Sequence, residues 1–149
     1  MSHTSYIHKA INESFKSNCT HKHGAIIVDT HTGKIVSKGY NRLTNSQKHL
    51  LSVHAEMDAL RKIKSFYNKY SNLVMYIIRF DKYGLKYSKP CLYCATNIKK
   101  FGIRKVFFSY NHEYVDKVIG SNDIHIKINN PTQLTKFFKK TPTINDCSY

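Results

Sequence analysis

His54-Ala55-Glu56 and, further along, Pro90-Cys91-Leu92-Tyr93-Cys94 constrain this chain more than any other feature, because they act together only in a fold that brings both segments to one point. One histidine, two thiols and one spare carboxylate are the parts needed to hold a zinc ion with one open position and a proton carrier beside it. A neutral imidazole and two thiolates bring two negative charges to Zn²⁺, so the protein site is roughly neutral. The fourth position is left for water, whose pKa zinc lowers from about 15.7 toward about 7. A structural zinc site is normally closed by a fourth protein ligand; here Glu56 is instead the natural proton acceptor. Cys91 and Cys94 are three apart just after Pro90, a residue suited to the first turn of a helix, so both sulfurs can face one ion from one helix end. That helix end also favours thiolates. On a regular helix His54 and Glu56 would diverge by roughly 200°, which places them at the start of a helix continued by Met57 to Lys64.

At 149 residues the chain fits one domain, taken as residues 1–149. Hydrophobic residues make up 41%, enough for a globular core. No apolar run reaches about 18 residues and the first twenty positions lack a signal-peptide core, so no membrane partner and a cytoplasmic, reducing location are expected. Four cysteines agree: two serve as zinc ligands, and Cys19 and Cys147 do not suggest a disulfide framework. A net charge of +15 suggests a polyanionic partner. The cations, however, are twenty lysines against four arginines, in a chain rich in Asn, Ile and Tyr, the pattern of an A/T-rich coding sequence. Arginine is the usual residue for bidentate phosphate contacts, so a nucleic-acid partner stays open without being required.

Periodicity gives the organisation. His3 to Ser17 reads as an amphipathic helix, and Ala25 to Val28 with Lys34 to Gly39 as a hairpin that leaves Asn41 at a strand end. A looser stretch, Arg42 to Ser52, leads to the His54 helix. Leu73 to Phe80 is an apolar strand, Asp81 to Lys89 a turn or hairpin, Cys91 to Phe101 the second metal-bearing helix and Lys105 to Ser109 a strand. Tyr114 to Ile119 reads as a short helix, Ile124 to Ile128 as a last strand and Pro131 to Lys140 as a final helix. This order implies an α/β fold with a mixed sheet of about five strands and helices on both faces. Cys19, His21, His23 and His49 form a second group of possible metal ligands, His21 and His23 sharing one face of an extended segment. Among the tyrosines, Tyr110, just beyond a strand end, is the best candidate to stack on a base.

The H-x-E and P-C-x-x-C pair resembles the zinc-dependent cytidine and deoxycytidylate deaminase superfamily, which hydrolyses the exocyclic amine of a nucleobase. Gly24-Ala25-Ile26-Ile27-Val28, Gly39-Tyr40-Asn41, Val53 to Ala59 and Gly102-Ile103-Arg104-Lys105-Val106 look like its successive core segments, over about residues 3 to 110. The resemblance implies a three-layer α/β/α fold, zinc on His54, Cys91 and Cys94, and Glu56 as the proton shuttle. It also implies that the amides of Ala55 and Cys91 face the reacting base, that Asn41 contacts sugar or base, and that the protein is a homo-oligomer. Its nucleotide and tRNA enzymes have a parallel last strand pair and its free-nucleoside enzymes an antiparallel one; a short helix at Tyr114 to Ile119 would give the parallel form. His54 points away from the free-cytidine branch, which typically has cysteine there, and the close spacing of Cys91 and Cys94 excludes the riboflavin-pathway branch. Val53 to Ala59 looks most like deoxycytidylate deaminases, although these usually carry Asn-Ala where this chain has Asp58-Ala59. Deamination of a small-molecule pyrimidine nucleotide, dCMP to dUMP, is therefore the expected activity. The alternatives are a tRNA adenosine or other polynucleotide deaminase and a non-catalytic nucleic-acid-binding member of the fold.

Overall fold

The computed structural model describes residues 3–46, 49–64, 67, 72–81, 84–103, 105–110, 113–118 and 127–128. Three helices and nine strands are assigned there: α1 (His3–Ser14), β1 (Lys22–Asp29), β2 (Ile35–Tyr40), β3 (Arg42–Ser46), β4 (His49–Val53), α2 (Ala55–Lys62), β5 (Leu73–Asp81), β6 (Gly84–Lys86), α3 (Leu92–Phe101), β7 (Lys105–Tyr110), β8 (Glu113–Val118) and β9 (Lys127–Ile128). The main sheet has the order β2-β1-β5-β7-β8-β9, with β6 folded back on β5, and β3 and β4 form a separate ribbon. Among the described strands only β5 and β7 pair in parallel, and α3 lies in the connection between them. None of these helices is long and apolar enough to cross a membrane.

The uninterrupted apolar run Ala25 to Val28 reports a strand covered on both faces. Ile26, Val28, Tyr76, Ile78 and Phe107 pack on one side with Tyr6, Ile7, Ala10 and Ile11 of α1. Ala25, Ile27, Met75, Ile77, Val106 and Phe108 pack on the other with Ala55 and Ala59 of α2 and Ile98 of α3. Two glycines let the helices come this close. A Cβ on Gly24 would collide with the Ala10 carbonyl of α1, and one on Gly39 with the Ala55 carbonyl and the Ala59 amide of α2. The three-layer α/β/α architecture expected from sequence is present.

Several local expectations differ. Arg42 to Ser52 is a hairpin rather than a loose stretch, with register from Arg42↔Val53 to Ser46↔His49. Its leucines and polar turn gave no clean alternation, yet pairing the two arms satisfies their backbone groups. The sheet has seven strands rather than about five, because β6 and β8 were not counted. Tyr114 to Ile119 is not a helix: Glu113–Val118 is a strand antiparallel to β7. The spacing of Val115 and Val118 imitates a helical face, but Tyr and Val suit a strand, and this one pairs with β7 on one side and β9 on the other. The parallel last pair is therefore replaced by an antiparallel one. Pro90 precedes α3 by two positions instead of lying within its first turn. The final helix expected at Pro131 to Lys140 lies outside the described residues.

Candidate metal centre and active site

Two helix starts meet at the carboxyl ends of the parallel strands, the usual ligand position in an open α/β sheet. His54 caps α2 in an extended conformation (φ −75°, ψ 147°), and Cys91 caps α3 (φ −65°, ψ 165°) with its sulfur accepting from the Cys94 amide at 3.4 Å. The backbone thus turns just before each helix, which frees His54 from the angular divergence that a continuous helix would impose relative to Glu56. His54 Nδ1 lies 3.3 Å from Cys94 Sγ and 3.8 Å from Cys91 Sγ. A tetrahedral ion with ordinary zinc–sulfur and zinc–nitrogen bonds separates such donors by roughly 3.6 Å, so the observed distances bracket the geometry zinc requires. This is the one group of three or more possible ligands found among the described residues.

The electrostatics fit a cation. Burial lowers the His54 pKa, keeping the imidazole in its neutral, ligating form. Burial, then the neighbouring Glu56 and Cys91, pushes the Cys94 thiol far up, and a divalent cation is the group that favours its thiolate. Glu56 is only 3% exposed, and burial pushes its carboxyl up to about 7. Its Oε2 is buried with no hydrogen-bond partner among the described residues, an arrangement that is costly unless a ligand completes it.

Ala55 is the first residue of α2 and fully buried. Asn41 is also fully buried; its Nδ2 donates to the His21 carbonyl at 2.7 Å and its Oδ1 accepts from the His23 amide at 2.8 Å, which braces the start of β1. Because Asn41 precedes β3 and His54 follows β4, the closing pair Arg42↔Val53 draws the two together. Tyr110 ends β7, its side chain lying outside the described residues.

The second ligand group is not assembled among the described residues. Cys19 is fully buried and disulfide-bonded, which takes its sulfur out of metal chemistry. His23 is buried with Nδ1 3.2 Å from the His21 carbonyl, and the His49 side chain is not among those described.

Sequence reasoning missed three anchors. Asp58, fully buried, accepts from the Tyr40 amide (3.2 Å) and pairs with Arg42 (2.7 Å), Arg61 (3.1 Å) and Lys62 (2.7 Å), locking α2 to the strand end that carries Asn41. Ser88 and Ser109 pin the segment that delivers Cys91. Ser88 Oγ donates to the Ile77 carbonyl at 2.9 Å and accepts from the Ser109 amide at 2.7 Å, while the Ser88 amide donates to the Ser109 carbonyl at 2.9 Å. The i to i+4 spacing of Asp58 and Lys62 was readable in the sequence; the serine pair carries no local signal. A separate groove of about 550 Å³ between α2 and α3, lined by Val53, Met57, Leu60 and Phe101 among others, contains none of the metal-ligand residues.

A profile described as the cytidine and deoxycytidylate deaminase zinc-binding region matches residues 1–110, and the chain belongs to that family. It is a zinc-dependent deaminase by family, with His54, Cys91 and Cys94 as the site that fits the metal. Among solved structures, cytidine deaminase from Burkholderia pseudomallei is similar in fold, with 20% identity, a TM-score of 0.65, and coverage of 80% of this chain and 94% of that one. The dCMP deaminase from cyanophage S-TIM5 in apo form shares 28% identity at a TM-score of 0.52, covering 72% of this chain and 84% of that one. The same phage enzyme in complex with dCMP and dUMP gives 25% identity, a TM-score of 0.52, and coverage of 72% and 82%. No curated protein matches the chain.

Proposed function

We propose that the protein converts dCMP and water to dUMP and ammonia, with Glu56 as the proton carrier. The observation that carries the chemistry is the buried Oε2 of Glu56, which has no hydrogen-bond partner among the described residues and lies two residues from His54 and in electrostatic contact with Cys94. Zinc, when bound, supplies Lewis acidity that brings the pKa of a water toward about 7. The remaining work belongs to the chain. Glu56, with its carboxyl near 7, accepts a proton from the attacking water at neutral pH and returns protons to the ring nitrogen and the departing amine, so that C4–N breaks as C4–O forms.

The nucleotide assignment is supported by the likeness to the phage dCMP deaminase and by His54 where free-cytidine enzymes typically carry cysteine. A second reading, free deoxycytidine or cytidine, is favoured by one observation: the antiparallel pairing of β7 and β8, the arrangement associated with free-nucleoside enzymes. Ammonia release from dCMP and from deoxycytidine by the zinc-loaded protein separates them. A kcat/KM for dCMP at least ten times that for deoxycytidine is expected; the reverse order would transfer the assignment to the nucleoside.

A further inference from the structure

Three basic residues from distant parts of the sequence stand side by side at the end of the sheet nearest the metal ligands. His23 of β1 pairs directly with Arg79 of β5, and Arg79 pairs directly with Lys86 of β6. Residues directly opposite in an antiparallel pair share a face. Alternation fixes which one: His23 continues the series Ala25 and Ile27, and Arg79 the series Met75 and Ile77, all of which pack against α2 and α3. Burial above all pushes the His23 imidazole down to about 3, with smaller contributions from Arg79 and His54, so His23 is a neutral donor or acceptor lying near both Arg79 and the metal group. Asn41 fixes the His23 backbone from the other side.

The row is built, and its central member, Arg79, has no described acceptor for its guanidinium Nε. Ser109 Oγ accepts from the Arg79 amide at 3.0 Å and donates to the Lys86 carbonyl at 2.7 Å, so one buried hydroxyl ties down both cation-bearing residues. Like charges directly opposite on a sheet are destabilising. The described ion pairs use the carboxylates of Glu13 and Asp58 alone, and Arg79 enters none of them. Arg79 Nε is buried with no hydrogen-bond partner among the described residues. In a chain that uses lysine for twenty of its twenty-four cations, arginine at this point is itself informative. Arg42 and Arg61 hold the buried Asp58, whereas Arg79 carries a planar fork of donors, the geometry that matches phosphate, and pairs with no carboxylate among the described residues.

Building on the deaminase reading, we propose that Arg79, flanked by His23 and Lys86, is the phosphate-recognition residue of the substrate site and selects a nucleoside monophosphate over the free nucleoside. The base then lies at Glu56 and the metal ligands, and the phosphate lies along the sheet end where the three basic residues are aligned.

The test compares dCMP with deoxycytidine as substrates of the zinc-loaded wild type and Arg79→Gln, and dUMP with deoxyuridine as ligands by calorimetry. A charge-assisted hydrogen bond is worth about 1.5–3 kcal/mol, so Arg79→Gln should raise the KM for dCMP on the order of 10- to 100-fold. Its kcat/KM for deoxycytidine should change less than about twofold. Lys86→Gln, if Arg79→Gln folds poorly by thermal unfolding, should shift dCMP in the same direction by a smaller factor and leave deoxycytidine unchanged. Equal losses on both substrates, or no loss on dCMP, would overturn the proposal. The binding arm is independent of turnover. If the wild type deaminates nothing, the reading of the activity fails, while preference for dUMP over deoxyuridine that vanishes in Arg79→Gln still supports the phosphate site. Equal binding of dUMP and deoxyuridine by the wild type refutes it.

Discussion

The two faces of the central sheet are made from alternate residues of the same strands, yet they end differently. On the α1 face, Ile26, Tyr76, Ile78 and Phe107 form an apolar layer in which Tyr76 stacks on Phe107 with ring centroids 4.6 Å apart. On the α2 and α3 face, Ala25, Ile27, Met75 and Ile77 begin the same way, but the series runs on to His23 and Arg79 beside His54. The α1 face stabilises; the opposite face stabilises along most of its length and carries chemistry at one end. Changes on the first should therefore alter stability alone, and changes at the end of the second should alter activity more than stability.

The largest expected effect is at Glu56. Glu56→Gln keeps the volume and removes the proton carrier, so kcat should fall by about 10³-fold or more while bound zinc, measured by atomic absorption, stays at the wild-type level. An activity loss that followed zinc loss would instead make Glu56 a structural residue. Next come the ligands: Cys94→Ala should bind zinc far more weakly and lose the zinc-dependent rise in Tm, because the remaining donors are two.

Asp58 tests whether the anchoring of α2 is separable from catalysis. Burial alone would raise its carboxyl, but Lys62, Arg42 and the Tyr40 amide outweigh that and hold it below the usual carboxylate range. A depressed folded-state pKa contributes stability above the unfolded value of about 3.9, and that contribution is lost as pH falls through the folded value. Asp58→Asn should therefore be less stable than wild type by a constant amount between pH 5 and 8, and the gap should close below about pH 4. Asp58→Ala should cost about 3 kcal/mol, since it leaves the partly buried Arg42 without its partner. Smallest of all, Ile26→Val on the α1 face should cost about 1 kcal/mol in urea unfolding and leave kcat/KM unchanged. A tenfold activity loss there would erase the distinction between the faces.

What the sequence revealed divides along the same line. His54, Glu56, Cys91 and Cys94 were readable because ligand chemistry demands particular residue types at short spacings, and both helix starts could be placed from that demand. The ribbon from Arg42 to Val53 was not, since leucines and a polar turn carry no clean period, although it joins Asn41 to His54. β8 reads as helix in the sequence because Val115 and Val118 are three apart, a helical spacing that puts them on opposite faces of the strand they actually form. Sequence proximity groups His23 with His21, whereas its partner across the sheet lies 56 positions away at Arg79. Strand register alone makes His23, Arg79 and Lys86 adjacent, and register is a tertiary property. Asp58 looked like an imperfect family match; in the structure its charge holds three cations.

The central claim is that a buried glutamate beside a three-ligand zinc site deaminates a cytosine nucleotide. It is tested most directly by measuring ammonia and dUMP released from dCMP by the zinc-loaded protein, with Glu56→Gln as the blank and deoxycytidine in parallel. Multiple turnovers on dCMP, absent in Glu56→Gln and at least tenfold slower on deoxycytidine, is the predicted result. Stoichiometric zinc with no ammonia from any cytosine compound would contradict it.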